Sequence, residues 1–154
     1  MSVDTFRREV RTILFLLRGS RWATLAPIVD VIDEYVHLEN AAHTPTQSRR
    51  VSLQIFHACR AIDTFLAEVA KHEAGRTGRP IPTNLTLGGS LRDIQRLSVQ
   101  GRTFSTPTVG DIRNLTRQRN TYMHKAKCFP SDGDIRRFLT RTVHALNEAI
   151  TFPT

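Results

Sequence analysis

Apolar residues recur along this chain at helical spacing nearly from end to end. Phe6, Val10, Ile13, Leu14 and Leu17 fall on one face of a helix over residues 3–17, and Gly19-Ser20 interrupt it. A second helix is predicted from Ala23 to Ala41, with Leu25, Ile28, Val29, Ile32, Tyr35 and Val36 facing the core and Pro27 in its first turn. His43 to Gln47 reads as a loop. Ile55, Cys59, Ile62, Leu66 and Val69 then mark a third helix of about 25 residues, starting near Ser48 and stopping at Gly75.

From Gly75 to Ser90 the chain carries Arg76, Arg79, Pro80, Pro82, Gly88 and Gly89, the composition of a long basic loop. Ser90 is the expected cap of a short helix ending near Val99. Thr108 and Asp111 approximate a capping box for a helix running to Cys128, and Ser131 with Asp134 repeat that signal. Ile135, Phe138, Leu139, Val143, Leu146 and Ile150 stripe the last helix. With no strand-like alternation and no repeat, the expected architecture is all-α, an antiparallel bundle of four to five helices, with residues 1–154 forming one domain.

Composition narrows the partner more than the fold. The formal net charge is +8, and only Lys71, Lys125 and Lys127 are lysines, so nearly all the positive charge is arginine. A guanidinium forks onto phosphate oxygens, which suits a polyanion such as RNA, although arginine-rich coding produces the same bias. The longest apolar run, Ile13 to Leu17, is too short to span a bilayer, so no membrane role is expected. Cys59 and Cys128 show neither disulfide nor zinc spacing, which points to free thiols, a cytoplasmic setting, and no metal or cofactor.

On the helix expected over 108–128, Arg113, Arg117, Asn120, His124 and Lys127 form one polar, basic stripe. Arg119 falls instead among Ile112, Leu115, Tyr122, Met123 and Ala126, where a charge is costly unless paired, and Asp63 on the third helix is a candidate partner. Arg119 and His124 project about 140° apart on an ideal helix. A second copy of the chain is therefore expected to bring such groups together. Arg50 with His57 and Arg137 with His144 repeat the arginine–histidine spacing, but on faces opposite the apolar stripes, and are expected at the solvated surface.

The run Arg119-Asn120-Thr121-Tyr122-Met123-His124 resembles the HEPN signature: an arginine, a polar residue beside it, and a histidine after four to six intervening residues. The Pro-Ser-x-x-Asp turn that follows and the closing amphipathic helix extend the resemblance over most of the chain. The resemblance implies a dimeric helical bundle whose active members are metal-independent endoribonucleases in toxin–antitoxin, phage-defence or RNA-processing systems. It makes Arg119 and His124 the catalytic pair and Asn120 the residue that orients them. One toxin branch carries a tyrosine two residues past the histidine, where its antitoxin acts; this chain has Ala126 there, which argues against that mechanism.

RNA brings its own nucleophile, the 2'-hydroxyl. In this reading His124 moves protons, Arg119 stabilises charge on the phosphorane, and Arg113, Arg117 and Lys127 hold the backbone. The competing expectation is a non-catalytic helical module that binds nucleic acid, a nucleotide or a partner protein, with Arg119 serving the fold. An antitoxin or regulatory protein is a further expected partner.

Overall fold

A computed structural model describes residues 3–81, 83, 86–97, 104–124 and 128–152, with side chains described for all of these except residues 3–5, 87 and 94–97. The described residues are all-α. Six helices run α1 Val3–Arg18, α2 Ala26–Ala41, α3 Gln47–Arg76, α4 Leu87–Leu97, α5 Thr106–His124 and α6 Asp132–Ala149, with a 3-10 turn at Arg21–Thr24. Counting the short α4, whose first turn contains Gly88 and Gly89, the bundle has six members among the described residues, more than the four to five expected. The long central helix, α3, packs against α2, α4, α5 and α6, while α1 closes the bundle against α2 and α6.

The α1 stripe of Phe6, Val10, Ile13, Leu14 and Leu17 is buried, as are Ile55, Cys59, Ile62, Leu66 and Val69 of α3. On α2 the buried face is rotated from the expected one. Ile28, Val31, Tyr35 and Leu38 are buried, Leu25, Ile32 and Val36 pack at the edge, and Val29 is exposed. The 3-10 turn explains the shift: it drives Trp22 into the core against Phe65 and delays the start of α2 to Ala26, leaving Pro27 in its first turn.

Helix ends follow capping chemistry more closely than residue type alone suggests. Gly75 is helical, and α3 ends instead through Gly78, whose φ of 66° is the left-handed value that glycine adopts without a Cβ penalty. The amide of Arg79 donates to the carbonyl of Ala74 and completes the stop. The predicted loop from Gly75 to Ser90 is therefore shortened at both ends. Ser90 is not the cap of α4: it is buried within the helix, and Thr86 Oγ1 accepts from the Gly89 amide at 3.1 Å.

At α5 the expected box of Thr108 and Asp111 does not form. Thr108 is buried, Ser105 hydrogen-bonds Thr108 and Glu148, and Asp111 turns to His144 and Arg141 of α6. The Ser131–Asp134 box does form, with each residue accepting from the other's backbone amide. No helix among the described residues is long and apolar enough to cross a membrane.

Candidate functional site

The centre of the site is the guanidinium of Arg119, held in the angle between α5 and α3. Its Nη2 lies 3.3 Å from Asp63 Oδ2, its Nη1 donates to Asn120 Oδ1 at 3.1 Å, and the same Nη1 is 3.3 Å from His124 Nε2. The helical projection that sets Arg119 and His124 far apart holds for the backbone. The long arginine side chain bridges the difference. Arg119, Asn120 and His124 thus meet within one chain, so contact between guanidinium and imidazole does not require a second copy.

A guanidinium has no lone pair to accept with, so a hydrogen bond across this contact requires His124 Nε2 as the acceptor, which is the Nδ1-protonated tautomer of the imidazole.

Asp63 supplies the expected counter-charge, but incompletely. Burial pushes its carboxyl up, and the charge and hydrogen bond of Arg119 pull it part of the way back. Asp63 Oδ1 and Arg119 Nε are both buried without a hydrogen-bond partner among the described residues. One oxygen and one nitrogen of the pair thus remain unsatisfied, a cost that well-packed structural pairs avoid. Asp63 also adds to the burial that raises the Cys59 thiol to about 12, so this cysteine is protonated packing material rather than a nucleophile.

Beside Arg119 and Asn120 opens a polar groove of about 270 Å³, walled by Thr86, Gly88, Gly89, Arg92 and Thr116. A Cβ at Gly88 would stand 3.4 Å from Thr116 Cγ2, so the first turn of α4 lies within van der Waals reach of α5. A second arginine and the amide end of a helix therefore face the same space as Arg119, a favourable setting for an anion. Sequence reasoning placed Thr86, Gly88 and Gly89 in a loop. The signal was present in the threonine three residues ahead of Gly89, a cap spacing, but the glycine pair dominated the reading.

Arg113 and Arg117 are exposed on α5, on the face that also exposes Asn120 and His124, as the stripe requires. Lys127 lies outside the described residues, as does Ala126. Tyr122, expected in the core, is half-buried and packs at the core edge, with its hydroxyl bonded to Asp134. Burial first, and then the Asp134 charge, push that phenol up to about 12. Met123, placed on the apolar face by projection, is 39% exposed.

The two other arginine–histidine pairs are engaged elsewhere. His57 is not solvated surface: it is half-buried, with Nδ1 2.6 Å from Glu34 Oε2, and Glu34 also binds Arg60 at 3.1 Å. His144 is exposed and contacts Asp111 at 3.2 Å. Neither histidine contacts the arginine that precedes it by the signature spacing; Arg50 and Arg137 pair with Asp132 and Asp134. Only at Arg119 does the spacing become a contact.

Comparison with family models, with curated proteins and with solved structures finds no match.

Proposed function

We propose that this protein is a HEPN-like, metal-independent endoribonuclease that leaves 2',3'-cyclic phosphate and 5'-hydroxyl ends. The observation that carries the reading is the contact of Arg119 with both Asn120 and His124, Arg119 and Asn120 themselves lining a groove that also presents Arg92. A phosphodiester entering that groove offers Arg119 better acceptors than a neutral imidazole. As the guanidinium swings to the phosphate, the His124 Nε2 lone pair is released to take the 2'-hydroxyl proton. Arg119 then faces the oxygens on which negative charge develops, and Asn120 restrains it there.

Cleavage also needs a proton delivered to the departing 5'-oxygen. One chain brings one imidazole to the site, so we propose that the protein acts as a homodimer in which a second chain provides the other. Arg113, Arg117 and Lys127 hold the flanking backbone. A toxin or defence setting, with an antitoxin or regulator as partner, belongs to the same proposal. Incubating the purified protein with RNA in EDTA and identifying the new ends tests it: cyclic phosphate supports the reading, and metal-dependent cutting or 5'-phosphate ends contradict it.

The Arg119–Asp63 ion pair favours a second reading, a helical module that binds RNA or a nucleotide without cutting it. RNA binding by the wild-type protein with no cleavage under any tested condition selects that alternative.

A further inference from the structure

One turn past Arg119 the surface changes from polar to apolar. A cavity of about 400 Å³ lies between the first half of α3 and the end of α5, walled in part by Arg49, Ser52, Phe56, Tyr122, Met123 and Phe129. Phe56, Met123 and Phe129 are 37%, 39% and 63% exposed, so three large apolar side chains spend surface in water around a single opening. A volume of this size is in the range of small-ligand sites.

Helical spacing ties this cavity to the candidate site. Met123 follows Arg119 by four residues, on the same face of α5 and about 6 Å further along the axis. Phe56 precedes Asp63 by seven residues, again on one face of α3. The same two helices that clamp the Arg119–Asp63 pair therefore form the cavity walls, with no element between.

The chemistry of the walls is specific. Phe56 already carries a flat cation, the Arg60 guanidinium, 5.6 Å from its ring centre, so its ring accepts a planar group. The Tyr122 hydroxyl is committed to Asp134, and the Ser52 hydroxyl donates to the Ser48 carbonyl. Arg49, exposed at the rim, has donors and no acceptor. A planar ligand with carbonyl or ring-nitrogen acceptors on its edge fits this inventory.

We infer that this cavity seats a nucleobase of the RNA whose phosphate lies at Arg119, with Phe56, Met123 and Phe129 as its apolar contacts. The inference rests on the ribonuclease reading above. The charge at the cavity favours a polyanion over a second copy of the chain: Arg49 lines the opening and Arg60 lies over the ring of Phe56, with no acid among the lining residues, so self-association through it would bring like charges together, whereas RNA carries the opposing charge beside the base. Stacking of this kind tolerates any base, since each has a flat face.

The chain has two methionines, Met1 and Met123, so labelling methionine methyl groups with 13C gives a direct NMR probe of the cavity. The experiment titrates this protein with a short single-stranded 2'-O-methyl RNA, which resists cleavage, and with an abasic strand of the same backbone. The expected result is a ring-current shift of the Met123 methyl with the base-bearing strand only, and binding weakened about tenfold by removing the bases or by Phe129→Ala. Equal affinity for both strands, or an unmoved Met123 signal at saturation, overturns the base seat while leaving RNA binding intact. If Phe56→Ala and Phe129→Ala change the sedimenting species but not RNA affinity, the cavity faces a second chain and the inference is wrong. If neither strand binds, the ribonuclease reading falls and takes the base seat with it.

Discussion

Arg119 Nη1 and His124 Nε2 stand 3.3 Å apart, although their backbone positions point to different sides of α5. A hydrogen bond between them requires the imidazole to accept at Nε2, with its proton on Nδ1. Long-range 1H–15N NMR of the ring is therefore expected to show the Nδ1-protonated tautomer in the free protein near neutral pH. Arg119→Ala is expected to shift the tautomer balance, because the donor to Nε2 is gone. An unchanged ring spectrum in that variant would show that the contact does not set the proton's position.

The same arginine is part of the fold. Its removal leaves Asp63, whose carboxyl burial already pushes upward, without a counter-charge. Arg119→Ala is expected to cost about 1–3 kcal/mol in denaturant unfolding, the range for stranding a partly buried polar group. Adding Asp63→Asn to that variant recovers most of the loss. Non-recovery would mean that the cost arises from packing rather than from the unpaired acid.

Asp134 gives the capping box a pH signature. Burial raises its carboxyl, but hydrogen bonds from the Ser131 amide and hydroxyl, from Arg137 and from Tyr122 outweigh that and hold it at about 2, from an ordinary value of 3.8. A carboxyl lowered by folding stabilises the native state above its unfolded pKa, and that stability is lost as pH falls from about 4 through about 2. Ser131→Ala is expected to cost about 1 kcal/mol near neutral pH and to flatten acid unfolding in that window. Thermal melts of both proteins between pH 2 and 5 measure this.

The two thiols separate in reactivity. Burial, reinforced by Asp63, pushes Cys59 up to about 12, while Cys128 is half-buried at the cavity wall. Iodoacetamide at pH 8 is expected to modify Cys128 alone in the native protein, and Cys59 only after unfolding. Rapid modification of both in the native state would show that α3 opens readily at this point.

If Arg113 and Arg117 of α5, with Lys127 beyond it in sequence, track RNA, neutralising any one of them lowers affinity and reduces the slope of log K against log salt by roughly one unit each. An unchanged slope would assign these charges to a solvated face.

The fold was legible where one apolar stripe decides burial, as in α1 and α3. It was less legible on α2, because Trp22 enters the core from a turn whose geometry no periodicity encodes, and that turn fixes the phase of the helix after it. At the site, Asp63 was readable as the partner of a misplaced charge. The Arg119–His124 contact was not, since helical projection follows Cα directions and ignores the reach of a guanidinium. Phe56 and Phe129 escaped because they reach the site from α3 and from the segment after α5, and no pattern within α5 names them.

Single-turnover cleavage of RNA in EDTA, comparing wild type with His124→Ala at equal RNA occupancy and equal melting temperature, tests the central claim most directly. The account predicts cyclic-phosphate product from the wild type and a loss of about 100-fold or more in the variant, the contribution of a positioned proton-transfer group. Equal rates for the two proteins, or activity restored only by a divalent metal, would contradict it.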